Sequence, residues 1–352
     1  MTRLLPGLGL TAVAAAALLA AAPALTAAAP ALSPLVLALL LGAGVGSVLG
    51  VASRRGAPRP LETVTPGTTW AARHVLRAGV VLLGLQLSIG DVLDLGWRGL
   101  TVVATTVAVT FCGTLALGRW LRVPRETSLL VATGFSICGA AAVSAMSGVL
   151  DRTPGRTRDD DRSTAVAVAL ALVALYGTLA VLALPWLAHL LGLTPAQAGL
   201  WMGASVQEVA QVVAAAGTLA GTAALATATV AKLARVVLLA PLVTTVGAVR
   251  ARRTAPTASA VPGTTRPPLV PGFVLGFLGA VAVRSLGILP PGVLAVAASA
   301  STALLVAAMF ALGLGVDVPR LVRTGRRPLV LGAGSAVVVT GTSLSAVLLL
   351  TP

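Results

Sequence analysis

Charge is scarce in this chain. Of 352 residues, only 10% are Asp, Glu, Lys or Arg, against 57% hydrophobic. A soluble domain of that length has too few charges to cover so much apolar surface, so the composition implies an all-α polytopic membrane protein. A barrel is excluded by the continuous Ala-, Leu- and Val-rich runs, because barrel strands alternate. Aromatic residues are scarcer still, at 3%, with one Tyr and five Phe. Their absence removes the stacking platforms of a nucleic-acid binder, despite a net charge of +15. The only two cysteines, Cys112 and Cys138, lie in apolar segments and read as small buried hydrophobes, not as a disulfide framework or zinc site. Also missing are His-Glu-x-x-His, Gly-x-Ser-x-Gly and any Walker loop. No enzyme, no metal, no cofactor and no self-contained ATP-driven pump is expected.

What the chain does have is long apolar runs. About eleven lie near 4–22, 31–52, 73–89, 98–117, 127–150, 164–187, 197–218, 222–248, 271–289, 292–316 and 328–350, each close to the length of a span. Residues 1–30 form an N-terminal hydrophobic segment, a transmembrane helix or a signal peptide. Residues 31–350 form a single transporter domain of the cell membrane, with a polar cytoplasmic linker at 249–270. Arg54, Arg55, Arg59, Arg119, Arg122, Arg125, Arg250, Arg252, Arg253, Arg266, Arg320, Arg323, Arg326 and Arg327 then fall in inner loops. One loop breaks the rule. DRTPGRTRDDDR, from Asp151, falls outside with four arginines. Trp70, Trp97, Trp120 and Trp186 are expected at segment ends, at headgroup level, and Trp201 near the start of its segment. His189 reads as interfacial and Arg284 as snorkelling from the end of its segment.

Two self-similarities suggest duplication. GLQLSIGDVLDLGWRGL from Gly84 parallels GLGVDVPRLVRTGRRPL from Gly313. In the topology above, these two lie on opposite sides, as an inverted repeat requires. GFSICGAAAVSAMSG (134–148) parallels GASVQEVAQVVAAAG (203–217). Gly and Ser in mid-span mark places where a helix unwinds and presents backbone N–H groups to an anion. These two segments run in the same direction in that topology, which an inverted repeat forbids.

The centre of the reading is 203–241, where Glu208, Lys232 and Arg235 stand inside apolar runs. Each costs about 2.5–3.5 kcal/mol on insertion scales, so they are expected to face one another or a cavity. Lys232 and Arg235 share a helix face and suit an anion. The alternative is a clamp that only locks helices together. Asp91, Asp94 and Asp317 read as loop or cap residues.

The four stretches GFSICGAAAVSAMSG, GASVQEVAQVVAAAG, ATVAKLARVVLLAP and ALGLGVDVPRLVRTG resemble the YeiH-type membrane proteins, described as sulfate exporters. The resemblance covers residues 31 to 350. It implies a bile-acid-symporter or cation–proton-antiporter architecture with inverted repeats and broken crossover helices. It also implies export of sulfate, sulfite or a small sulfonate. Where family members commonly carry His before the acidic residue, this chain has Gln207, which hydrogen-bonds but does not titrate. The expected site places Ser136, Cys138, Gly139, Ser205, Gln207, Lys232 and Arg235 around the anion, with Glu208 coupling or gating. The expected partners are a small anion and the bilayer, with a homodimer as the candidate assembly. The rival readings are a cation–proton antiporter using Glu208 and Asp317, and a non-transporting scaffold.

Overall fold

The computed structural model describes residues 4–28, 34–54, 60–151, 159–219, 222–254, 272–315 and 325–351. Asp317, Arg320, Arg323 and most of the 249–270 linker lie outside these residues. All regular elements among the described residues are helical. In chain order they are α1 (Leu5–Ala28), α2 (Pro34–Arg54), α3 (Pro60–Leu83), α4 (Ile89–Asp94), α5 (Gly96–Trp120), α6 (Arg125–Ser136), α7 (Ala140–Asp151) and α8 (Asp159–Leu190). Then follow α9 (Pro195–Ser205), α10 (Val209–Ala216), α11 (Thr222–Val237), α12 (Leu239–Thr254), α13 (Gly272–Ser285), α14 (Pro291–Leu314) and α15 (Arg326–Leu350). Six stretches among the described residues are long and apolar enough to cross a membrane, within α1, α5, α8, α11–α12, α14 and α15. The chain is an all-α, multi-pass membrane protein.

The helices fall into two groups. One contains α1, α2, α3, α13 and α14; the other is built from α5 through α11 with α15. Small residues set the spacing within the first. Gly7 meets the Gly67 backbone between α1 and α3, and Gly42 meets Gly313 between α2 and α14. Any side chain there would run into backbone, so the small residue is what permits contact. In the second group α15 runs antiparallel to α5, with the Thr114 hydroxyl donating to Ser335 Oγ at 3.0 Å. The end of α5 and the start of α15 therefore gather Arg119, Arg122, Arg326 and Arg327 at one end of the molecule.

Two expected spans reverse in mid-course. The 127–150 run breaks at Ile137–Gly139 and the 197–218 run at Val206–Glu208. At each break the chain turns back. Glu126, opening α6, lies 3.7 Å from Arg162 near the start of α8, while Gly134 and Gly139 sit against Val173, half-way along α8. α6 thus runs with α8. α7 returns, because its Ser144 and Ser147 line one cavity with Arg162, Ser163 and Val166. The second pair behaves likewise. Gly199 and Gly203 of α9 pack on Ala224, Ala228 and Ala231 of α11, so α9 and α11 run in parallel. α10 must therefore return to the end at which α9 began. The result is two helical hairpins, α6–α7 from the arginine end and α9–α10 from the opposite end, meeting tip to tip.

This geometry corrects the topology read from the sequence. α7 ends, and α8 begins, at the same end as Arg119 and Arg326. The charged 151–162 stretch thus joins two arginine-end termini and ceases to be an exception. The two similar motifs also oppose each other, as an inverted duplication demands. Length and hydropathy are blind to reversal: two half-helices total the same apolar length as one span.

α3 also departs from expectation. It starts at Pro60, not at residue 73, and includes the polar stretch LETVTPGTTWAARHVLR. Its apolar face packs on α14, and its Thr- and Arg-bearing face lines a cavity. Trp70 is consequently well inside a helix, whereas Trp97, Trp120 and Trp186 are exposed at helix ends. Trp201 is buried, and its indole N–H donates to Thr340 O at 2.9 Å. Arg284 and His189 occupy the last turns of α13 and α8. Asp91 accepts from Ser88 N at 2.9 Å in a capping box, as a cap residue should.

Candidate functional site

The hairpin tips are made by backbone chemistry. Ile137 leaves the helical region and Gly139 adopts φ +74°, a conformation that disfavours a side chain. A methyl at Gly139 would also collide with the Glu208 carboxylate. At the other tip Val206 and Glu208 are extended. Each break ends one helix and begins another, so each exposes unpaired carbonyls on one arm and unpaired N–H groups on the other. In lipid these groups need partners inside the protein.

α11 supplies them. Its alanines let it approach α9 closely, which brings Lys232 and Arg235 to the tips, both fully buried. Lys232 Nζ donates to Ile137 O at 2.7 Å and to Val206 O at 2.8 Å. Arg235 donates to Phe135 O at 2.7 Å, Ser136 O at 3.1 Å, Val206 O at 3.0 Å and Gly203 O at 3.3 Å. Both cations therefore bridge the two hairpins, sitting at the carbonyl ends of α6 and α9 where positive charge is favoured. A carboxylate serves the other polarity. Ala140 N–H, the first of α7, donates to Glu208 Oε1 at 2.8 Å, and Glu208 N–H donates to Gln211 Oε1 at 3.1 Å.

All eight residues expected at the site come together at these tips. Their bonding differs from the expectation. The Ser136 and Ser205 hydroxyls donate back to Thr133 O at 3.3 Å and Trp201 O at 2.6 Å, and the two cations donate to carbonyls. A broken helix end is a strong internal acceptor, so it claims donors that the sequence offered to a ligand. Cys138 is buried and free, beside Ile137 at the first tip. Gln207 is buried, and its side-chain oxygen has no hydrogen-bond partner among the described residues. Among the described residues no group of His, Cys, Asp and Glu is placed to hold a metal ion.

Formal charge summarises the centre. Lys232 and Arg235 face one carboxylate, Glu208, and the helix ends present roughly half a charge each, two of each sign. The sum is about one positive charge in the interior.

Reading the sequence missed Gln211 and Arg73. Gln211 was findable as the residue three after Glu208, the reciprocal position of a capping box. Arg73 and Arg77, four apart in the 60–83 helix, share one face, as Lys232 and Arg235 do.

Comparison with known proteins agrees over nearly the whole length. Residues 6–332 match the family described as conserved hypothetical protein 698. A UPF0324 membrane protein of Corynebacterium glutamicum is 42% identical over 317 residues, covering 90% of this chain and 85% of its own. One from Pseudomonas aeruginosa is 36% identical over 338 residues, covering 94% and 90%. The UPF0324 membrane protein TauZ of Paracoccus pantotrophus is 34% identical over 313 residues, covering 89% and 87%. No solved structure matches.

Proposed function

The chain belongs to this UPF0324 family of membrane proteins, and from that premise we propose that it is a secondary transporter, an exporter, of a small sulfur oxyanion such as sulfate, sulfite or a sulfonate. The observation that supports the reading is the interior positive charge at two meeting hairpin tips. Two cations and one carboxylate at mid-depth are expensive for a scaffold and useful to a protein that must hold an anion there. Half-helix N-termini at the midplane are also where transporters with discontinuous helices bind anions. Lys232 and Arg235 then act on the anion through their field and through the tips they fasten, instead of by direct contact. Glu208 occupies, with its carboxylate, the N-terminal position of α7 that an oxyanion would take. Substrate and the ionised Glu208 compete for the Ala140 N–H, which makes Glu208 the gating group. A cation–proton antiporter has less support, because the excess charge at the centre is positive.

The test is flux of labelled sulfite, sulfate and ethanesulfonate in proteoliposomes of purified protein. Saturable counterflow of at least one is expected, reduced tenfold or more in Glu208→Gln. Absence of flux for all three, with sodium-dependent proton movement instead, overturns the reading in favour of the antiporter.

A further inference from the structure

Between the two helix groups lies a cavity of about 540 Å³, away from the hairpin tips themselves. It runs from Gly50, Thr65, Ser163 and Gly315 at the arginine end to Arg73 and Leu170 deeper in. Its floor includes Ser144 of α7, one turn from the Ala140 N–H that holds Glu208. No acidic side chain is among the residues that line it.

Arg73 is its distinguishing feature. The residue lies about 20 Å along α3 from Pro60 and about 15 Å from Leu83, near the middle of the helix. A guanidinium inside a helical membrane protein calls for a partner or a watery cavity. It lines the cavity with its side chain exposed, and no hydrogen bond or ion pair among the described residues engages its guanidinium. Arg77, one turn on, is occupied differently, stacked over the Phe273 ring at 5.6 Å. Thr69, Ser144 and Ser147 line the same cavity. The wall also carries Thr65, Thr68, Ser163 and Arg162, which lies 3.7 Å from Glu126, beside an apolar stretch of Val166, Ala167, Leu170, Leu312 and Leu314.

A planar guanidinium in a cavity lined by hydroxyls fits an oxyanion head. The volume falls within the range of pockets for small organic ligands, about 300–1,000 Å³, and a bare tetrahedral anion would leave its apolar wall unused. We propose that this cavity binds an organic oxyanion, with its sulfonate or carboxylate head on Arg73 and a short apolar body against Leu170 and Leu312. The assignment rests on the transport reading for the ligand's onward route to the hairpin tips, but the binding itself does not. An anionic lipid head group shares this chemistry, and the experiment separates the two sources.

The experiment is calorimetric titration of the full chain in zwitterionic nanodiscs with sulfate, ethanesulfonate, butanesulfonate, hexanesulfonate and butyrate. Affinity is expected to rise about threefold to fourfold per added methylene until the cavity is full. Arg73→Ala should weaken butanesulfonate binding at least tenfold with an unchanged unfolding temperature, and Arg73→Lys should weaken it less. Leu170→Ala should flatten the chain-length dependence while leaving ethanesulfonate binding nearly intact. Sulfate binding as tightly as butanesulfonate, or an Arg73→Ala protein that binds like wild type, overturns the proposal. So does displacement of butanesulfonate by phosphatidylglycerol in the discs, which assigns the site to lipid. Loss of chain-length dependence with intact sulfite flux removes this site and leaves the transport reading standing. Intact binding without flux does the reverse.

Discussion

Lys232 illustrates how a buried charge is made tolerable. Its ammonium replaces water for two carbonyls that no helix can satisfy, Ile137 O and Val206 O. Lys232→Met keeps the stem and deletes both bonds, leaving Ile137 O unsatisfied and Val206 O with Arg235 as its donor. The expected loss is about 3 kcal/mol or more, read as a lower unfolding temperature in detergent. Lys232→Arg keeps a cationic donor of similar reach and should recover part of the loss. Unfolding of Lys232→Met at the wild-type temperature would remove the clamp from the account. Gly139→Ala should also destabilise, by about 1–2 kcal/mol or more, because it combines an unfavourable φ with a collision at Glu208. The residues of this centre were legible in the sequence, since charges inside apolar runs stand out against their neighbours. Their partners were not, because backbone carbonyls leave no mark on a sequence.

At the scale of elements, the hairpins depend on contacts between their tips. Glu208 in the second hairpin fastens α7 in the first. Glu208→Ala should release it, and the buried Cys138 beside Gly139 reports the release. A membrane-permeant maleimide should label Cys138 several-fold faster in Glu208→Ala than in wild type, in a Cys112→Ala background. Equal rates would show that the carboxylate does not hold the tips together. The small-residue contacts give a second element-scale prediction. Gly313→Val would drive its side chain into the α2 backbone at Leu39 and Ala43, and should cost about 2 kcal/mol or more in thermal stability. Gly44→Ala, on the same helix α2 but facing open space, should be neutral or slightly stabilising. Helix positions were readable from apolar runs, and the two breaks from their Gly and Ser content. The direction of the chain after each break was not, because α7 and α10 have the same composition whether they go on or turn back. α3 was misplaced for a related reason: a helix that lines a cavity carries Thr and Arg on one face, and a hydropathy window averages the two faces together.

In the whole molecule Arg119, Arg122, Arg125, Arg162, Arg326 and Arg327 lie at one end, against Arg98 and Arg284 at the other, and the two hairpins enter from opposite ends between two helix groups. Positive residues mark the cytoplasmic side, so the start of α8 is expected inside and the loop after α10 outside. Sequence similarity between the two Gly-Ser motifs hinted at this symmetry, but only the reversal at each break reconciles it with the distribution of charge. The most direct measurement is two-sided labelling of single cysteines in a chain with Cys112 and Cys138 replaced by Ala. Ser163→Cys and Thr218→Cys occupy exposed positions at the two ends. An impermeant maleimide should modify Thr218→Cys in intact cells or right-side-out vesicles, and Ser163→Cys only after the membrane is opened. Modification of Ser163→Cys from the outside would mean that 127–150 crosses as a single span, and would contradict the opposed hairpins on which the account stands.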